Sequence, residues 1–267
     1  MTTRVMRPEE WADPPVPVRR EVLSARADED STLPPVLFVP GFGHGAWAYA
    51  EHWLEHAAER GFPAFAMSLR GHGGSGPAPD ADLRAYVHDV VQVAAGLPRR
   101  GVLVGAGAGG LVVAMALARY PARAGVLVAP AFGGVATAWT ALRRNPGGTL
   151  PGLVGGGVRL RSGQLFSAEL PDATAKSYES RLGRASGRAQ RQLLRRQEPE
   201  TPVGDPPVLV LGSPDDRVVA PAELERVARR YGGAPLLFPG MGHDLMLDAR
   251  WREPIEAILD WLQKACA

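Results

Sequence analysis

The sequence predicts an α/β protein: a mostly parallel central sheet, helices on both faces, and a helical cap insertion. Three features lead there. Short branched-aliphatic runs bounded by Gly or Pro recur along the chain, helical stretches separate them, and the alternation breaks only once. Alternating strands and helices favour parallel pairing through crossover helices, which cover the sheet on both sides.

In chain order, "PVLFVPG" (35–41) is the first clear buried strand and runs into a glycine-rich loop. Residues 46–60 read as one helix, followed by the strand "PAFAMSL" (63–69). A helix over 82–95 precedes the strand "GVLVG" (101–105), and a glycine turn then opens an alanine-rich helix over 109–119. The strand "AGVLVAP" (124–130) closes the first half. The second half holds the strand "PPVLVLGS" (206–213), a helix over 221–231, the strand "APLLFPG" (234–240) and a helix over 251–264. Residues 1–130 and 206–267 are therefore expected to form the core. Residues 131–205 carry helical patches and two glycine clusters, "NPGG" and "GLVGGG", but no clear strand. Too long for a simple connection, they read as a helical cap over the sheet. Ligands of such sheets bind at the carboxyl ends of the strands, so chemistry is sought in the loops there.

At 267 residues and 45% hydrophobic, the chain is long enough for one large domain with a substantial core. A formal charge of +2 gives no argument for nucleic acid. Lys176 and Lys264 are the only lysines, and the richness in Arg, Ala, Gly and Pro reflects base composition more than phosphate binding. Arg181, Arg184, Arg188, Arg191 and Arg195 fall at one-face helical spacing. The plain reading is a solvated face; the sharper one is a dock for an anionic substrate or a carrier protein. Cys266 is the only cysteine and cannot form an intramolecular disulfide. No run approaches a membrane span and "MTTRVMRPEEWADPPVPVRR" lacks an apolar leader, so a cytoplasmic location is expected.

The stretch "VLVGAGAGGLVVAMALARYP" (102–121) admits two readings. Gly105, Gly107 and Gly110 satisfy the G-x-G-x-x-G spacing of a dinucleotide-binding turn. That site needs an acid after the next strand to hold ribose hydroxyls, and Ala129 and Pro130 stand there instead. Gly105, Gly107 and Gly109 also satisfy the frame of a G-x-S-x-G nucleophile elbow, with the serine missing. The second reading is preferred, and no cofactor is expected.

Four phrases support it: "FVPGFGHGAWAYAEHW", "SLRGHGGSG", "LGSPDDRVVAP" and "FPGMGHDLMLD", each following a strand. In this order they resemble the α/β-hydrolase superfamily, in particular its bacterial esterase- and lysophospholipase-like members, from about residue 16 to the C-terminus. The resemblance implies a triad in the order nucleophile, acid, histidine. By position the acid is Asp216, with Asp215 as a possible stand-in, and the histidine is His243. The oxyanion hole implied is the backbone N–H pair of Phe42 and Ala108, with Gly41, His44 and Gly107 beside the substrate.

This chain departs from the pattern at the nucleophile. The usual G-H-S-x-G-G is Gly105-Ala106-Gly107-Ala108-Gly109-Gly110, with no Ser, Cys or Asp anywhere from Gly101 to Gly110. Pro40 stands where the oxyanion loop's histidine is expected, and Ser68 where an aspartate is usual. A His–Asp pair facing two N–H donors can still move protons beside a carbonyl. The expectation is a lyase, isomerase or cyclase acting on a carbonyl-containing, mainly apolar small molecule, such as a polyketide-like intermediate. The alternatives are a binding protein without turnover, a weak esterase in which His243 activates water, and a serine deliberately replaced by mutagenesis. His72 is expected to brace its loop, Trp47 to pack beneath the oxyanion loop, and His52, His56 and His88 to lie on helix surfaces. No histidine pair has metal-ligand spacing with a third donor, so no metal is expected.

Overall fold

Side-chain alternation along each strand decides the architecture. In the computed structural model, which describes residues 12–134, 143, 147 and 158–266, seven strands form one sheet in the order β1-β3-β2-β4-β5-β6-β7. These are β1 (Val22–Ala25), β2 (Val36–Val39), β3 (Ala64–Met67), β4 (Val102–Ala106), β5 (Gly125–Val128), β6 (Val208–Gly212) and β7 (Leu236–Leu237). Only β1 runs antiparallel to its neighbour. Val36, Phe38, Val102, Val104, Val126 and Val128 point to one face, while Leu37, Val39, Leu103 and Leu127 point to the other. Each set needs a helical layer to cover it.

The first face is covered by α1 (Trp47–Ala50), α2 (Trp53–Glu59) and the C-terminal α9 (Arg252–Ala265), through Tyr49, Trp53, Ile255, Ile258 and Leu262. The second is covered by α3 (Leu83–Ala95), α4 (Ala108–Leu117) and α8 (Pro221–Arg230), through Tyr86, Val90, Leu111, Val113 and Val227. Asp82 caps α3 by accepting from Ala85 N–H at 2.9 Å. Buried on both faces, the parallel strands read as continuous aliphatic runs, which is why they were visible in the sequence.

Four expectations need correction. The helix expected over 46–60 breaks at His52 (φ −145°, ψ −58°), and Trp53 Nε1–H then reaches the Trp251 carbonyl at 3.1 Å. β1 was not anticipated, because of its four residues only Ala25 is buried. The strand expected over 234–240 reduces to two exposed residues. The arginines from 181 to 195 do not share one helix: α6 (Asp172–Ser180) ends before Arg181, and α7 (Gly187–Gln192) starts anew behind the Ser186 cap. Glycines at 183 and 187 and the capping serine outweigh the arginine spacing.

Between β5 and β6 the described residues hold three short helices, α5 (Ser162–Leu165), α6 and α7. Residues 135–142, 144–146 and 148–157, with most of both glycine clusters, lie outside the described residues. This segment is fastened to two loops at the carboxyl end of the sheet. Gly183 N–H donates to Gly43 O at 2.7 Å, Asp244 N–H to Leu165 O at 3.0 Å, and Ser167 Oγ to Asp248 at 2.6 Å.

Candidate functional site

β4 lies at the centre of the sheet, and its carboxyl end turns into α4 through Gly107. Gly107 has φ 53° and ψ −124°, a conformation that L side chains rarely adopt. Its N–H donates to Val128 O at 2.9 Å, and its carbonyl accepts from Gly110 and Ala131 N–H at 3.0 Å each. The flanking glycines answer to space. A Cβ on Gly109 would lie 2.7 Å from the Val39 carbonyl, and one on Gly105 would lie 2.7 Å from Val113. The glycine spacing therefore reflects the close approach of α4 to β2 and β4. The dinucleotide alternative has no acid to use after β5, which leads into Ala129 (φ 43°) and Pro130.

His243 meets this turn from the loop after β7. A Cβ built on Gly107 would stand 3.1 Å from His243 Nε2. The other ring nitrogen, Nδ1, lies 2.7 Å from Asp216 Oδ2. Asp216 is fixed in turn, its Oδ1 accepting from Val218 N–H at 2.6 Å and Val219 N–H at 3.0 Å. Asp215 is engaged elsewhere, accepting from Gly240 N–H at 2.7 Å, which ties the β6 loop to the β7 turn. Burial works against a charged His243, but the adjacent Asp216 charge, its hydrogen bond and the nearby Asp244 carboxylate outweigh it. The imidazole is pushed up to about 9. The direction favours the imidazolium form beside Asp216.

The loop after β2 forms the facing wall. Gly41 is buried, and its Cα lies 3.9 Å from the Cβ position of Gly107. Among the described residues no acceptor meets the Phe42 N–H. Ala108 begins α4, where a helix leaves its N–H groups without intrahelical acceptors. These are the two donors named from the sequence. His44, buried on the same loop, makes a second His–Asp pair, Nε2 lying 2.9 Å from Asp244 Oδ2. Sequence reasoning missed Asp244; its place directly after His243 was the available signal. Trp47 lies between this loop and the insertion, with His44 stacked at 5.9 Å and the Arg181 guanidinium 4.0 Å from its ring. Arg181 also pairs with Glu51, and Arg188 with Asp82 at 3.2 Å, so neither serves only as a solvated charge.

The position expected to have lost a carboxylate has recovered one from elsewhere in the chain. Ser68 Oγ accepts from Ala46 N–H at 2.8 Å and donates to Glu21, whose carboxylate also accepts from Gly74 N–H at 2.8 Å. Glu21 adjoins β1 and was invisible as a partner in the sequence. His72 is buried, with Nδ1–H donating to Arg70 O at 3.0 Å, as a loop brace would. His52 and His56 are half-buried rather than free on the surface. His52 stacks on Trp251 at 4.5 Å, and His56 Nε2 lies 2.6 Å from Glu256. Among the described residues no group of three or more His, Cys, Asp or Glu side chains is placed to hold a metal, and no helix is long and apolar enough to cross a membrane.

Comparison with known proteins agrees with this fold. A profile of the Alpha/beta hydrolase family matches residues 36–259. A search of curated proteins finds no match. Among solved structures, an esterase from Thermogutta terrifontis is similar at 21% identity and TM-score 0.69, over 93% of this chain and 94% of that one. Monoglyceride lipase from Saccharomyces cerevisiae gives 14% and 0.73, over 93% and 92%. The enol-lactonase from Burkholderia xenovorans gives 17% and 0.67, over 92% and 96%. At these identities the likeness is one of fold.

Proposed function

The chain belongs to the Alpha/beta hydrolase family, and from that premise we propose an enzyme of acid–base chemistry that works without a covalent nucleophile. Gly107 stands where the family carries its nucleophilic serine. The observation that carries the reading is that His243 Nε2 comes within 3.1 Å of the place a side chain at 107 would begin. With no hydroxyl between them, the imidazole reaches the substrate itself.

In this reading a carbonyl oxygen sits against the N–H groups of Phe42 and Ala108, in the loop walled by Gly41 and His44. Negative charge that develops there in the transition state is stabilised by donors already in place. His243 Nε2 takes a proton from the adjacent carbon, or gives one to a departing or recyclising oxygen. Asp216 holds Nδ1–H and balances the imidazolium charge. The described helices of the insertion, α5 to α7, limit the water that reaches the enolate. Proton loss, elimination, isomerisation and ring closure on a mainly apolar carbonyl compound all use these parts, so the reading is of a lyase, isomerase or cyclase.

The pH dependence follows from His243 holding its proton up to about 9. A base-initiated reaction gains roughly tenfold per pH unit up to that value, then levels. The test is α-proton exchange of a ketone in D2O followed by NMR. Wild-type protein should accelerate exchange, and His243→Ala should lower the rate by roughly 10²–10⁴-fold. Equal exchange in both would end the acid–base reading and leave a binding protein. A second reading, slow ester hydrolysis by His243-activated water, is favoured by the likeness to an esterase and a lipase. It predicts p-nitrophenyl ester turnover without a burst, lost in the same variant.

A further inference from the structure

We infer that the enzyme binds substrates carrying an anionic group, a carboxylate or a phosphate, held remote from the reacting carbonyl by the segment after residue 157. The inference rests on the carbonyl-binding reading of the Phe42 loop. A cavity of about 710 Å³ opens between that loop and the insertion, a size that suits a small-molecule ligand. Phe42, Gly43 and His44 form one side, so the cavity begins at a proposed oxyanion donor. Val158, Leu160 and Leu182 supply an apolar stretch of wall.

Its charge is one-sided. Arg159, Arg161 and Lys176 line it, all solvent-accessible, against one carboxylate, Glu179. That carboxylate is already engaged by Ser162 N–H at 2.7 Å. This bond, with the fields of Arg161 and Arg159 and against the effect of burial, holds Glu179 below its ordinary range, so it stays an anion that helps to fix the wall. The sequence has the same bias. From residue 90 to residue 168 there is no Asp or Glu, while arginine occurs at 99, 100, 119, 123, 143, 144, 159 and 161. A cavity with an apolar stretch at Val158, Leu160 and Leu182 and three cations along its wall suits an amphiphile: a carbonyl and hydrocarbon body toward Phe42, and anionic oxygens toward Arg161 and Lys176. Guanidinium and ammonium groups both recognise carboxylate and phosphate oxygens, the former bidentately.

The test is binding, measured by calorimetry with decanoate, decyl phosphate and methyl decanoate. Both anions should bind about tenfold or more tightly than the ester, with affinities that fall as salt is raised. The tighter of the two anions identifies the natural head group. Arg161→Glu with Lys176→Glu should abolish the preference for anions while leaving methyl decanoate affinity unchanged. Arg161→Gln with Lys176→Gln, a milder pair, should reduce that preference and keeps the question answerable if charge reversal impairs folding. Equal affinity for anion and ester in wild type, or parallel losses for both ligands in the folded variants, would overturn the inference. Because the readout is equilibrium binding, it is independent of whether His243 exchanges protons.

Discussion

Replacing Asp216 by Asn removes the main source of the His243 proton's stability while keeping a side chain of the same shape. In wild type, His243 moves from an ordinary value of 6.5 to about 9. At 1.36 kcal/mol per pH unit, that upward shift links folding to protonation by about 3 kcal/mol. A raised folded-state value means that this stabilisation is complete below pH 6.5 and is lost as pH climbs through 9. The window is favourable for measurement, since burial lowers His52, His56, His72 and His88 and raises Cys266. In Asp216→Asn the opposing effect of burial dominates what remains, and His243 should titrate below 6.5. Urea denaturation at closely spaced pH values should show wild type losing about 3 kcal/mol across the window and the variant losing little. NMR titration of the His243 ring gives the same answer directly. A wild-type ring titrating at or below 6.5, or parallel stability curves for the two proteins, would refute the account of this pair.

Gly107→Ser should cost about 2 kcal/mol in denaturation, since the new Cβ meets His243 at 3.1 Å and the backbone has φ 53°. It should also slow proton exchange, whereas equal stability with a gained ester burst and fluorophosphonate labelling would favour a hydrolase lacking only its serine. Asp89→Ala should destabilise by about 3–5 kcal/mol. It strands Arg70, whose guanidinium donates to both Asp89 oxygens at 2.7 Å in a buried setting; a loss under 1 kcal/mol would show that water rescues the site.

Much of this was legible because burial on both faces leaves a strong signal. Strands β2, β3, β5 and β6 lie within their expected ranges and β4 runs one residue past its own, since a strand covered on both sides must be aliphatic throughout. The Gly107 turn and Asp216 were legible because each lies just beyond such a strand, and His243 because its glycine-rich phrase follows the last aliphatic run. The misses share one cause: they are decided by partners distant in sequence. Glu21 serves Ser68 across 47 positions, through a strand whose exposed face carries no pattern. Asp244 has meaning only opposite His44, 200 residues earlier. The helix break at His52 follows Trp251, and the arginines after 180 follow glycines and a cap rather than their own spacing.

The two His–Asp pairs bear on whether this site is a relic. Stability alone does not call for them: replacing a buried ion pair by well-packed apolar groups is often neutral or stabilising. Both pairs are nonetheless closed to solvent, and each carboxylate has a distinct assignment, Asp216 to Nδ1 of His243 and Asp244 to Nε2 of His44. The supports around them show the same care. Glu21 supplies a carboxylate to Ser68, and Asp215 ties the loop of one catalytic candidate to the turn before the other. A scaffold drifting after the loss of its nucleophile would shed such polar interior first, since each unpartnered member costs stability and each apolar substitution costs little. Ala106, Pro40 and Ser68 also depart from the pattern that the sequence resembles, and of these Ser68 is partnered by Glu21. Two buried, partnered His–Asp pairs beside the Gly107 turn support the proposed acid–base reading over idleness, and His243 is the group through which that chemistry would run.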